Sequence, residues 1–124
     1  MRKVIQTNMP NGSAPVEWVT MGGKTLYTAS IPIFADGSIE TGDIAAQTEL
    51  TLNNLKQMLE AAGGTMDDVT QVQVILTDKQ YFEGMNKVYR QFFTAPFPNR
   101  ATIIADLMVP GAKIEIIANA YLES

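Results

Sequence analysis

Residues 43–62 read DIAAQTELTLNNLKQMLEAA, and this stretch decides which fold the chain can adopt. Apolar or near-neutral side chains recur in it at helical spacing, which predicts an amphipathic helix with one buried stripe. That stripe consists of Ile44, Thr48, Leu52, Leu55, Leu59 and Ala62. Thr41 or Asp43 can cap the start of the helix, and Gly63-Gly64 can end it in the left-handed region. The opposite face is predicted to face water and carries Asn53, Asn54, Gln57 and Glu60.

Predicted strands lie on both sides of this helix. Two β-prone runs, 17–21 and 24–28, flank Gly22-Gly23 and predict a hairpin, preceded by a short strand at 3–7. After the helix, residues 69–77 alternate between apolar and polar side chains, as in a strand with one polar face. A second helix is predicted from about Lys79 to Phe93, and a loop with Pro96 and Pro98 ends it. Its buried stripe is Phe82, Met85, Tyr89 and Phe92. A strand from Arg100, a Pro110-Gly111 turn and a strand at 113–122 complete the order β-β-β-α-β-α-β-β.

This order predicts an α+β fold in which two helices pack on one face of a mixed β-sheet. The last strand shows that the other face of the sheet also needs a cover. The residues on one side of this strand are Ile114, Ile116, Ala118, Ala120 and Leu122, and those on the other side are Glu115, Ile117, Asn119 and Tyr121. Both sides of that strand are partly apolar, whereas only two helices are available. A second face of mixed character is typical of an oligomer interface, and a site formed there would be shared between subunits.

Composition excludes several classes of function. A chain of 124 residues suits one domain, and it contains neither histidine nor cysteine. The usual general base, the commonest metal ligand and thiolate chemistry are therefore absent, so we predict no metal and no cofactor. The net charge of −4, with scattered basic residues, argues against a nucleic-acid partner. No apolar run reaches membrane-spanning length and no signal core follows Met1, so we predict a soluble, cytoplasmic protein without a membrane partner.

Two charged residues are the main candidates for chemistry. Arg100 follows Phe97-Pro98-Asn99 and opens an apolar run that is predicted to be a buried strand. Its planar guanidinium suits a carboxylate, which is either an internal acidic partner or an anionic ligand. Glu115, between Ile114 and Ile116, could orient or activate a water, face solvent or pair with Arg100.

The relation between these two residues depends on strand register. If the chain makes a hairpin near Val109 to Ala112, Glu115 lies opposite a residue between about Ile104 and Asp106. A register change of one residue then decides whether Glu115 and Arg100 share a face, and otherwise they could still meet across a subunit boundary.

Weaker candidates accompany them. Thr102 shares a face with Arg100 and could contact a water. The simpler interpretation is that Thr102 is there only because β-branched residues favour strands. Asn86 could bond to backbone. One arginine and one carboxylate suit hydrolysis of an already reactive substrate, which demands little catalytic power.

Several motifs resemble the RidA (YjgF) family of imine deaminases over nearly the whole chain. They are Ala45-Ala46-Gln47, Asn53-Asn54-Leu55, Glu60-Ala61-Ala62-Gly63-Gly64, Asp68-Val69-Thr70, Met85-Asn86-Lys87-Val88-Tyr89, Phe92-Phe93, Phe97-Pro98-Asn99-Arg100-Ala101-Thr102 and Lys113-Ile114-Glu115-Ile116. The resemblance implies one domain over residues 1–124 with a chorismate-mutase-like fold. It also implies a barrel-like homotrimer with three sites between subunits.

The implied reaction is hydrolysis of reactive 2-imino or enamine acids to 2-oxo acids and ammonia. By resemblance, Arg100 would clamp the substrate carboxylate, Glu115 would position the attacking water, and the backbone of Thr102 would bind that water. Asn86, Phe82 and Ser30 match other substrate-binding positions. Runs 14–16 and 28–32 depart from the family pattern: Val16 replaces a tyrosine, and the loop after the hairpin is one residue shorter. A trimer that binds a small carboxylate without turnover is the alternative, and RNA cleavage is the weakest reading.

Overall fold

A computed structural model describes residues 1–123 as a six-stranded mixed sheet with two α-helices on one face. The elements are β1 (Lys3–Val4), β2 (Val19–Gly22), β3 (Thr25–Ser30), α1 (Ile44–Ala61), β4 (Val69–Leu76), α2 (Phe82–Phe92), β5 (Asn99–Ile104) and β6 (Ile114–Tyr121). Short 3-10 turns precede β4 and α2. The chain order of strands and helices and the α+β class predicted from sequence are confirmed. Within residues 1–123, no helix is long and apolar enough to cross a membrane.

Helix α1 begins and ends where its sequence predicts. The Asp43 carboxylate accepts a hydrogen bond of 3.0 Å from the backbone N–H of Ala46, so Asp43 rather than Thr41 is the cap. Gly63 adopts a φ of +86°, and the N–H of Gly64 donates to the Leu59 carbonyl at 2.8 Å. A side chain at the Gly63 position would be strained, which is why glycine ends this helix.

The sheet order β1-β2-β3-β6-β4-β5 overturns the predicted hairpin between the last two strands. Strand β4 lies between β5 and β6, antiparallel to β6 and parallel to β5. Glu115 therefore lies opposite Ile75 of β4, not opposite residues 104–106. The hairpin prediction was wrong because closeness in sequence favours pairing of consecutive strands but does not require it.

Strand β5 is an edge strand, which corrects the prediction of a buried one. Ile103 and Ile104 remain 40% and 44% exposed in the single chain. Strand β4, which pairs with β5, and strand β6 beyond it carry the apolar residues of the helix-covered side. These residues are almost fully buried, among them Val74, Leu76, Ile114 and Ile116. The apolar residues at the end of β5 therefore lie at the surface of the single chain and not in the centre of its core.

Two polar side chains of α1 hold the loops that follow β3 and precede β6. Asn54 is buried and its Nδ2 donates to the carbonyls of Ile31 and Ile33 at 3.0 and 2.9 Å. The prediction that Asn54 faces water was therefore wrong, because the loop after β3 crosses that side of the helix. Gln47 is completely buried, and its amide bonds the carbonyls of Glu40 and Gly111. These contacts fix the loops that border the candidate site.

Candidate active site

Arg100 lies on the helix-covered side of β5, next to Val72 in the register of the parallel pair. Its guanidinium carbon lies 4.6 Å from the centre of the Tyr89 ring and 5.9 Å from that of Phe82. Nη1 approaches the sulfur of Met85 at 3.9 Å. Between residues 1 and 123, no aspartate or glutamate oxygen comes within 4.0 Å of its nitrogens. The guanidinium is therefore held by aromatic faces and a thioether, and its hydrogen-bonding fork is not used by an internal carboxylate.

The predicted residues around Arg100 gather on the same edge of the molecule. Thr102 follows on the same side of β5, in register with Val74. Phe82, 41% exposed, begins α2, and Asn86 follows it by one helical turn. Positions 82, 85, 86 and 89 form one face of a helix, so Asn86 belongs to the face that contacts Arg100. This edge combines a cation, an amide and an exposed aromatic ring.

Tyr89 is the residue of this edge whose role the sequence did not reveal. It was predicted as part of the buried stripe, and it is only 5% exposed. Its hydroxyl has no hydrogen-bond partner among the described residues. Burial raises the pKa of Tyr89, while the nearby positive charge of Arg100 acts in the opposite direction. The neutral Tyr89 ring thus supports the guanidinium of Arg100. In the sequence, the four-residue spacing between Met85 and Tyr89 was the only indication that the two side chains share a helix face.

Glu115 lies on the other face of the sheet. Its neighbours on either side, Ile114 and Ile116, point into the helix-covered core, so its own side chain points to the face that no helix covers. Burial raises the pKa of Glu115, because the carboxylate loses hydration without gaining a cationic neighbour. The carboxyl group lines a cavity of about 690 Å³ together with Val16, Trp18 and the loop after β3.

Ser30 does not contribute its side chain to this cavity. It pairs with Ile116, which places it on the helix-covered face. It is completely buried and its hydroxyl donates to the carbonyl of Thr51 at 2.7 Å. The alternation of the strand therefore turns the Ser30 side chain inward, away from this cavity. Its neighbours Ala29 and Ile31 line the cavity instead.

One chain does not bring Arg100 and Glu115 together. Strand β4 separates their strands, which places the two strands roughly 10 Å apart. Their side chains also lie on opposite faces of the sheet. The single chain thus carries two candidate half-sites: a cationic one formed by Phe82, Asn86, Arg100 and Thr102, and an acidic one formed by Glu115 and its cavity. Within the described residues, no group of three aspartates or glutamates is placed to hold a metal ion.

Comparison with known proteins assigns the family. Residues 8–122 match the family model described as endoribonuclease L-PSP, and the chain belongs to this family, which includes the RidA and YjgF proteins. A RutC family protein of Pyrococcus horikoshii is 39% identical over 126 residues, covering 99% of this chain and all of the relative.

Solved structures agree in fold. The crystal structure of E. coli TdcF with bound serine is 31% identical, with a TM-score of 0.89 over 98% of this chain and 99% of TdcF. RidA from an Antarctic Psychrobacter is 28% identical, with a TM-score of 0.90 over 97% and 99% of the two chains. The names of these relatives differ, so the family is assigned while the reaction must be argued from the site.

Proposed function

We propose that this protein is a cytoplasmic homotrimer that hydrolyses reactive 2-imino acids or their enamine tautomers, such as 2-aminoacrylate and 2-iminopropanoate, to 2-oxo acids and ammonia. The observation that carries this proposal is Arg100, a guanidinium held on the Tyr89 ring without an acidic partner in the described chain. Such a group suits a ligand carboxylate, since it offers a planar pair of donors in a partly dry setting. Binding of serine, a small 2-amino acid, by the related TdcF supports this ligand class.

A site shared between subunits follows from the distribution of the two half-sites. The uncovered face of the sheet carries Glu115 and Ile117, and the free edge carries Ile103 and Ile104. If this face and this edge pack on other subunits, the Arg100 half-site of one chain can meet the Glu115 half-site of the next. Closed rings are built from such head-to-tail contacts, and a trimer is the ring that the family resemblance implies.

The proposed reaction needs few groups. Arg100 holds the substrate carboxylate, while Asn86 and Phe82 border the remainder of the substrate. Glu115 and the backbone of Thr102 position a water, and the carboxylate accepts its proton as oxygen bonds to the imine carbon. Addition of water turns the imine C=N double bond into a C–N single bond, and Glu115 returns the accepted proton to the nitrogen, which gives a carbinolamine. The hydroxyl of the carbinolamine then loses its proton to the nitrogen as the C–N bond breaks, so ammonia leaves and the oxygen from water becomes the keto oxygen.

An assay of ammonia release tests this proposal directly. The imine is generated in situ by a serine-dehydrating pyridoxal-phosphate enzyme, and ammonia is followed with and without the protein under conditions in which imine hydrolysis limits the rate. Acceleration proportional to protein concentration is expected. Calorimetric binding of a 2-oxo acid without acceleration would instead establish a carboxylate-binding protein and would overturn the enzymatic proposal.

The pH dependence of this activity should report Glu115. Burial raises the pKa of this carboxyl group in the single chain, and only its ionised form can accept the proton of water, so activity should fall on acidification as Glu115 becomes protonated. Glu115→Gln should reduce kcat at least about tenfold, and the remaining activity should no longer fall on acidification in this pH range. Glutamine has nearly the same shape and avoids burying a charge, so the melting temperature at pH 7 should not fall. If the activity of Glu115→Gln fell on acidification over the same pH range as that of wild type, Glu115 would not be the group that titrates.

The Tyr89 ring should matter more than its hydroxyl. Tyr89→Phe retains the platform and removes an unpaired buried hydroxyl, so carboxylate affinity should stay within about twofold and stability should not fall. Tyr89→Leu removes the cation–π contact, which is worth about 0.5–2 kcal/mol, and should weaken binding about 2- to 30-fold. Calorimetry with pyruvate compares the two variants. Equal affinity of the leucine variant and wild type would show that the ring does not position Arg100.

A further inference from the structure

The cavity beside Glu115 has an unusual lining for a protein proposed to bind an anion. Apolar side chains form most of its wall, among them those of Val16, Trp18, Ala29, Ile31, Ile33 and Val109. Its two ionisable lining residues, Glu17 and Glu115, are both acidic, and no lysine or arginine lines it. The cavity therefore offers no cationic side chain to a second negative charge on a ligand, whereas it offers a large apolar surface.

Hydrogen bonds hold the backbone of this wall in place. The indole Nε1 of Trp18 donates to the Pro10 carbonyl at 2.8 Å, which ties the loop before β2 to the tryptophan. The hydroxyl of Thr28 donates to the carbonyl of Trp18 at 2.6 Å. On the other side, Asn54 of α1 holds the carbonyls of Ile31 and Ile33. The parts of the wall at Trp18 and at Ile31 and Ile33 are thus fixed to β3 and to α1.

We infer that this cavity selects 2-imino acids with an apolar side chain of several carbon atoms and rejects those with an acidic side chain. This inference rests on the proposed function, in which Arg100 holds the carboxylate and Glu115 faces the imine carbon. The substrate side chain is then the group left to contact the wall around Glu115. A methyl group can contact only a small part of this wall, so a small substrate leaves most of the apolar surface without a partner.

Comparison of three imines tests the selectivity. Amino-acid oxidases, with catalase present, generate the imines of leucine, alanine and aspartate, and ammonia release is corrected for the spontaneous rate. Each added methylene in an apolar pocket contributes about 10-fold or more to kcat/KM, so the leucine imine should exceed the alanine imine at least about 10-fold. The aspartate imine should be the poorest of the three. Equal values for leucine and alanine imines, or a preference for the smaller one, would overturn the inference.

A substitution at Val16 provides the sharper test. Val16 is 77% exposed in the single chain, so Val16→Lys should fold normally while adding a cation to the apolar wall. The ratio of kcat/KM for the leucine imine over that for the aspartate imine should fall at least about 10-fold. Val4→Lys is the matched control, because Val4 is also exposed, at 47%, and does not line the cavity.

The outcomes separate this inference from the proposed function. If no imine is hydrolysed faster than spontaneously, the proposed function itself fails. If all three are accelerated but Val16→Lys changes the ratio no more than Val4→Lys does, only the assignment of the cavity to the side chain fails. A ratio that shifts in Val16→Lys alone supports the cavity as the specificity site.

Discussion

Arg100→Ala should lower kcat/KM for imine hydrolysis at least about 100-fold, which corresponds to about 2.7 kcal/mol of transition-state stabilisation. The guanidinium is the group proposed to hold the substrate carboxylate through two parallel, charge-assisted hydrogen bonds. Losing it removes this binding and also the alignment of the imine carbon with the water at Glu115. Parallel measurements of ammonia release and of pyruvate affinity should show both losses.

Folding should survive this substitution. Within residues 1–123, Arg100 makes no ion pair with an acidic side chain, so no buried carboxylate is left unpaired by its removal. The lost contact with Tyr89 should cost about 0.5–2 kcal/mol of stability. Circular dichroism and the elution volume of the assembled protein should therefore match those of wild type.

Two further variants separate charge from geometry. Arg100→Lys retains the charge but not the planar fork, so it should recover only part of the lost activity. Arg90→Ala removes an exposed arginine of the neighbouring helix α2 and should behave as wild type. Full activity in a folded Arg100→Ala protein would disprove the proposed function.

Gln47→Leu should produce the largest loss of stability among the substitutions considered. The Gln47 amide donates to the carbonyls of Glu40 and Gly111 at 2.8 and 2.9 Å, and its oxygen accepts from the N–H of Lys113 at 2.7 Å. Leucine has a similar size but leaves three backbone groups without partners. Since each costs about 1–3 kcal/mol, the free energy of unfolding should fall by about 3 kcal/mol or more.

Urea or thermal unfolding measures this loss, and the chain offers a matched control. Gln57 lies on the same helix but is exposed, so Gln57→Leu should change the free energy of unfolding by less than about 0.5 kcal/mol. The Gln47 variant should also bind carboxylates less well, because the freed loops border the Glu115 cavity. A Gln47→Leu protein as stable as the Gln57→Leu control would show that these three bonds are not important for the fold.

Much of the local structure could be predicted from residue order. The stripe of α1, its cap at Asp43 and its end at Gly63 depend on neighbours within a few residues, so the sequence contains the whole cause. The alternation in β6 likewise predicts that Ile114 and Ile116 lie on one face of the sheet and Glu115 on the other. The absence of histidine and cysteine, together with the motif around Arg100, makes this arginine the main candidate for binding an anionic ligand.

What the sequence by itself determined is therefore the set of elements, the face of each that is apolar, and the chemical groups available to a site. Tertiary structure alone decided that β4 lies between β5 and β6, that Asn54 and Gln47 are buried, and that Tyr89 supports Arg100. These features join residues far apart in the chain, where many alternative pairings satisfy the same local preferences. Packing of the complete sheet and helices selects one of them, and with it separates Arg100 and Glu115 onto opposite faces.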